Sequence, residues 1–142
     1  MDKNIISYIR DIILKCPLLV EGDRVNVDYI GEEMSYSIDP LPCDPVMKTY
    51  TDGGMQKQFQ FAFTSKEEYD EDARINIENS GFFEKFEEWL HILGNWKNPL
   101  PDMGDKKTSI RFETLNSGYL YDVEEKLAKY RIECRLIYSQ EV

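Results

Sequence analysis

Histidine is almost missing from this chain, and His91 stands alone among 142 residues. Any imidazole metal cluster, catalytic triad or His-based acid–base pair would therefore rest on a single side chain. It sits on a helical stretch between Leu90 and Ile92 and reads as a surface or half-buried structural residue. Cysteine is scarce as well. Cys16, Cys43 and Cys134 are odd in number, widely spaced and free of any CxxC pattern, which indicates neither a disulfide framework nor a zinc site. Cys16 and Cys134 fall on apolar faces, as small core residues do. Long hydrophobic runs are absent too: Met1 to Cys16 is apolar in part, but Asp2, Lys3, Arg10, Asp11 and Lys15 interrupt it too often for a signal segment or a membrane span. The expectation is a protein kept in a reducing cytoplasm, with no membrane partner.

Positive charge is in short supply. Seventeen Lys and Arg against 27 Asp and Glu leave a formal charge of −10, which argues against a protein that must neutralise phosphates, and so against sequence-specific nucleic-acid binding. Familiar chemical motifs fail in turn. No serine sits in a G-x-S-x-G elbow. Gly104-Asp105-Lys106-Lys107-Thr108 lacks the earlier glycine of a phosphate loop and precedes a strand pattern, whereas a phosphate loop opens a helix. The acidic run from Glu67 to Asp72 lacks the glycine and terminal glutamate of a calcium loop. No catalytic, cofactor-binding or metal-binding residue is assigned. Paired carboxylates whose separation in space a sequence does not display stay open, given 27 acids.

What the chain does possess is strong period-two patterning. At its end Ala128, Tyr130, Ile132, Cys134, Leu136 and Tyr138 alternate with Lys129, Arg131, Glu133, Arg135 and Ser139. In mid-chain Met55, Lys57, Phe59, Phe61 and Phe63 share one face, with Gln56, Gln58, Gln60 and Thr64 on the other. Both runs predict strands with one face in a core. Around them, Ile5, Ile9, Ile12, Ile13 and Cys16 recur at helical spacing, with Asp2 as cap and Pro17 forcing the end. Val25, Val27 and Tyr29 followed by Gly31, Tyr36 and Ile38 read as a β-hairpin. Val46, Lys48 and Tyr50 lead through the turn Asp52-Gly53-Gly54 into the phenylalanine strand, which is expected to run from Met55 to Thr64.

Ser65 and Glu68 form a capping box that predicts a long helix from this point, with the acidic run at its positive end. Its stripe is Ala73, Ile77, Ser80, Phe83, Phe86, Leu90 and Leu93, with a kink or split at Asn79-Ser80-Gly81 and an end at Gly94-Asn95. A loop through Pro99 and Pro101 leads to a strand with Thr108, Ile110, Phe112 and Thr114 on one face. A short connection at Ser117-Gly118 then reaches the terminal strand. The fold class expected is α+β over residues 1–142 as a single domain: a mainly antiparallel sheet with two helices on one face, its core supplied by Phe59, Phe61, Phe63, Ile132, Cys134 and Leu136. The polar face of the last strand, Lys129, Arg131, Glu133 and Arg135, has two readings: a solvated face, or a charge row that meets its complement on a neighbouring copy and sets register there.

Taken in order, the elements resemble the tail terminator family of long-tailed bacteriophages, particularly the small phage and prophage minor capsid or tail completion proteins. The residues that carry the resemblance are Val25 to Tyr29, Tyr36 to Pro40, Phe59 to Tyr69, Asn76 to Phe82, Ser117 to Leu120 and Tyr130 to Gln140, spread over nearly the whole chain. The resemblance implies a structural virion protein and no enzyme. It implies a self-assembled ring, commonly a homohexamer, on the head-proximal end of the tail tube, which stops tube polymerisation and offers a surface to the head connector. Its partners would then be further copies of itself, the tail tube protein and the connector, and its place the virion tail after synthesis in the host cytoplasm. Two other classes remain: a stand-alone cytosolic small-ligand binder or enzyme with a carboxylate and tyrosine pocket, and an acidic adaptor for one protein partner.

Overall fold

The computed structural model describes residues 4–17, 25–27, 35–68, 73–93, 100–101, 103–104, 106–124 and 127–142. Its frame is one pair of long antiparallel strands, β4 (Met55–Glu68) and β7 (Leu127–Gln140), each 14 residues long and in register from Met55↔Gln140 to Glu68↔Leu127. Each long strand carries two short ones along its outer edge. On β4 these are β2 (Ser35–Pro40), beside Phe61–Lys66, and β3 (Val46–Thr49), beside Met55–Lys57. On β7 they are β5 (Lys107–Thr114) at one end and β6 (Tyr119–Glu124) at the other. With β1 (Val25–Val27) outside β2, the sheet has seven strands. Two helices complete an α+β fold, α1 (Ile5–Ile13) and α2 (Ala73–Ile92).

The alternation expected of the two long strands is what the sheet uses. Phe61, Phe63, Ile132, Cys134 and Leu136 are fully buried and Phe59 packs against them, all on the face that receives both helices. From α1 come Tyr8, Ile9, Ile12 and Ile13, with Cys16 just beyond its end; from α2 come Phe83, Phe86 and Leu90. The centre is aromatic: Phe86 stacks on Phe63 with ring centroids 4.5 Å apart, and Tyr36 stacks on the other flank of Phe63 at 5.5 Å. Tyr8 ties α1 to the far side of the sheet, because its hydroxyl donates to the Pro101 carbonyl and shares a hydrogen bond with Ser109 Oγ, each at 2.6 Å.

Several local expectations give way to this frame. Ser65 and Glu68 cap no helix: β4 continues through both, Ser65 pairing with Tyr36 and Tyr130, and α2 begins at Ala73. A 14-residue partner strand offers a ladder of hydrogen bonds where a cap offers two, so the pairing overrides the local signal. The stretch from Val25 to Ile38 is no hairpin either. Val25–Val27 runs parallel to Tyr36–Ile38, the one parallel pairing among the described strands. Tyr29 and Gly31 lie outside the described residues. Helix α2 is continuous through Asn79-Ser80-Gly81, neither split nor ended there. The cap of α1 is Asn4, whose side chain accepts from the Ser7 N–H at 2.9 Å; Asp2 lies outside the described residues, as do Gly94 and Asn95.

In β5 a register shift between Ser109 and Arg111 changes the face count. Ser109, Phe112 and Thr114 pair with the core-facing Tyr138, Leu136 and Cys134, while Thr108 pairs with Ser139 on the other face. A bulge at Ile110 is the cause, since one extra residue inverts the alternation beyond it. The strand β6 was not expected at all; a run of Tyr, Leu, Tyr, Asp and Val carries too little alternation to announce it. The turn before β4 is as read: Gly53 has φ +93 and the Asp52 side chain accepts from the Gly54 N–H at 2.8 Å.

Gly118 lies where the chain passes under α2, and a Cβ there would stand 2.5 Å from Cβ and Cγ of the buried Phe83. Gly118→Ala is expected to lower stability by about 1–3 kcal/mol, seen as a lower urea midpoint with an unchanged denaturant slope. A second expectation concerns alkali. Burial, followed by the charges of Glu87 and Glu133, pushes the Cys134 thiol far above its ordinary 9.0, and burial, with Cys43 next, raises Tyr138. Above pH 9.0 the unfolded chain releases a thiol proton that the folded chain retains. The Cys134 contribution therefore falls by about 1.4 kcal/mol per pH unit above that point. Urea unfolding at neutral and alkaline pH, compared with Cys134→Ala, tests it: the variant should lose less stability as pH rises.

Candidate functional site

The second face of the sheet has no described helix on it, and its side chains form a polar row across three strands. From β4, Gln60 Nε2 donates to Gln58 Oε1 at 3.2 Å, and the same oxygen accepts from Arg135 Nη1 at 3.2 Å. Arg135 then reaches β5, where Nε and Nη2 both bond Glu113 Oε1, at 3.1 and 2.9 Å. Arg111 Nε approaches the other oxygen of Glu113 at 3.7 Å. The row exists because these residues pair directly in register, Gln60↔Arg135 and Glu113↔Arg135, so neighbouring side chains leave the same side of the sheet.

The next residues along β7 are also engaged within the chain. Glu133 accepts from Asn116 Nδ2 at 3.1 Å while its own N–H donates to Asn116 Oδ1 at 3.0 Å, which fixes the loop between β5 and β6. Arg131 lays its guanidinium over the Tyr121 ring, 5.0 Å from the centroid, and its Nε is buried without a hydrogen-bond partner among the described residues. Lys129 pairs in register with Lys66 on one side and Asp122 on the other. Near the β2 edge Ser37 Oγ donates to Asp39 Oδ1 at 2.8 Å, and Thr64 Oγ1 lies 3.5 Å from Asp39 Oδ2. Two apolar residues hide in this polar field, Ala62 and Ile137, both fully buried. The direct neighbours of Ile137 are Gln58 and Arg111, long enough to lay apolar stems over it.

All four residues of the charge row, Lys129, Arg131, Glu133 and Arg135, thus share one half-buried face, as the alternation implied. What the sequence did not disclose is their partners. Gln58, Glu113, Asn116 and Tyr121 come from β4, β5, the loop after β5 and β6, and only the strand register brings them in. His91 is exposed on α2, its Nε2 sharing a hydrogen bond with Thr114 Oγ1 at 3.2 Å; that hydroxyl also donates to Glu87 Oε1 at 3.1 Å. This trio pins α2 to β5. Gly104 and Lys106, with φ +72 and +59, form the turn that opens β5, with the Lys107 N–H bonded to the Gly104 carbonyl at 2.9 Å. No group of three or more His, Cys, Asp or Glu gathers at metal-binding distances among the described residues, and no described helix is long and apolar enough to cross a membrane.

No protein-family model matches the chain, and no curated protein matches it in sequence.

The Arg135–Glu113 contact should act as an internal brace. With Arg135 about a quarter exposed at 26%, Arg135→Ala is expected to lower the stability of the isolated chain by about 1 kcal/mol. Combined with Glu113→Ala in a double-mutant cycle, the two losses should be less than additive, and the coupling should weaken with added salt.

Proposed function

We propose that this protein is a structural subunit of a phage or phage-derived tail: a tail terminator that forms a ring on the head-proximal end of the tail tube and halts its growth. What supports the reading is the resemblance of the stretches Val25 to Tyr29, Tyr36 to Pro40, Phe59 to Tyr69, Asn76 to Phe82, Ser117 to Leu120 and Tyr130 to Gln140, taken in order, to the tail terminator family. The arrangement of the faces supports it. Both helices serve one side of the sheet, so the other side and the short outer strands are left as surface for neighbouring copies, tube and connector.

The function needs an asymmetric subunit. A terminator must match the tube end on one side and fail to repeat that surface on the other, and head-to-tail contacts close into rings only when the rotation between copies allows it. Among its partners, on this reading, are its own copies, the tail tube protein and the head connector; no cofactor takes part. At −10 per chain a ring carries high negative charge, which favours assembly at moderate over low ionic strength.

The test is direct. Purified protein added to polymerising cognate tube subunits should cap tubes at one end and stop elongation, measured as tube length by electron microscopy. Deletion of the gene should leave overlong or headless tails. Tubes that lengthen equally with and without a molar excess of the protein, together with normal tails in its absence, would overturn the reading.

A further inference from the structure

The outer edges of β1, β3, β5 and β6 pair with no described strand, and of these β3, outside β4, and β6, outside β7, carry exposed large apolar side chains. Both are rich in exposed apolar side chains. On β3 every residue is exposed, including Val46 and Met47, with Tyr50 just beyond; on β6 Tyr119, Leu120 and Tyr121 are exposed. An apolar edge strand is a template for another strand, and on β3 one outward N–H, that of Val46, already donates to Asp44 Oδ1 at 3.1 Å. We propose that β3 of one copy pairs with β6 of the next, so that the sheet continues from subunit to subunit. This surface assignment rests on the reading of the protein as a self-assembling ring subunit.

Strand direction favours a second copy as the occupant. β3 runs antiparallel to β4, β6 runs antiparallel to β7, and β4 and β7 are themselves antiparallel. It follows that β3 and β6 point in opposite directions within one chain. Two copies set side by side in the same orientation therefore bring β6 of one against β3 of the other as an antiparallel pair, without inverting either molecule. The side chains agree with this arrangement: exposed apolar residues lie on both strands. The contact is head-to-tail, since the two strands are different surfaces, and that is the kind of contact that closes a ring.

The positions of the strands add a geometric consequence. β3 lies beside Met55–Lys57, whereas β6 lies across β7 from the end of β4 near Thr64–Glu68. Each copy would then be displaced along the strand axis by about ten residues, ~33 Å at ~3.3 Å per residue. In a closed assembly such a displacement makes the strands tilt against the ring axis, as shear does in a barrel.

The experiment blocks each edge separately. Met47 and Leu120 are 39% and 45% exposed, so Met47→Lys and Leu120→Lys should leave the unfolding midpoint of the single chain unchanged, while placing a charge on one edge each. Sedimentation velocity and native mass spectrometry over a concentration series should show wild-type rings, single chains for either variant, and no rings in an equal mixture of the two, because every copy in a ring needs both edges. Should either variant fold poorly by circular dichroism, Val46→Lys and Tyr119→Glu test the same edges. Wild-type protein that remains a single chain at every concentration, or variants that assemble as wild type does, would overturn the proposal. So would assembly by Met47→Lys but not Leu120→Lys, which would mean that β6 meets β6. Rings that require both edges but leave tube growth untouched would keep this inference and remove the terminator reading; capping by both variants at wild-type efficiency would do the reverse.

Discussion

The pairing of β4 with β7 is the constraint on which the rest depends. Fourteen residue pairs in unbroken register place every second side chain of both strands on the same face, so a slip of one residue would set Phe61 and Phe63 on the opposite face from Ile132, Cys134 and Leu136. That penalty makes the register unambiguous. It also decides events at the ends: β4 extends through Ser65 and Glu68 because Tyr130 and Leu127 stand opposite them. The four short strands that flank the long pair inherit their positions from it, two on each outer edge.

The two faces are held by different physics. On the helix side, dispersion and apolar burial dominate, with aromatic rings stacked from Tyr36 through Phe63 to Phe86. On the other, charge-assisted hydrogen bonds run between strands through Gln58, Arg135 and Glu113. The second set is directional, and it holds β5 against β7 in a part of the sheet where the bulge at Ile110 disturbs the backbone ladder. Because Arg135, Glu133 and Arg131 already have partners within the chain, a neighbour that docks on this face meets an ordered surface in place of loose charges. Exposed apolar side chains are concentrated on β3 and β6, with Leu14, Tyr50, Ile92, Leu115 and Val142 outside them.

Much of this was legible in the residues. Period-two alternation located β4 and β7 and their core face; helical spacing located α1; the glycine pair after Asp52 located the β3–β4 turn. The failures share a cause. Ser65 with Glu68 is a sound local cap signal, but it competes with a partner distant in the chain that a local pattern does not reveal. The bulge in β5 and the strand β6 were missed for the related reason that the edge of β7 dictates them. The candidate surface was half legible: the charge row on β7 could be read, whereas Gln58, Glu113, Asn116 and Tyr121 become its partners only after the sheet has formed.

The hydroxyl of Tyr8 bonds groups 93 and 101 positions further along the chain, and the residues of β4 stand 59 to 85 positions from their partners in β7. Such connectivity has a kinetic meaning. Loop closure must precede most of the stabilising contacts, so folding should be slow for a chain of this size, with little that can form early and stay formed. During synthesis Phe59, Phe61 and Phe63 leave the ribosome well before Ile132, Cys134 and Leu136 exist to cover them. In that interval the nascent chain presents a row of phenylalanines on an unpaired strand, a natural target for chaperones and, when these are limiting, for aggregation.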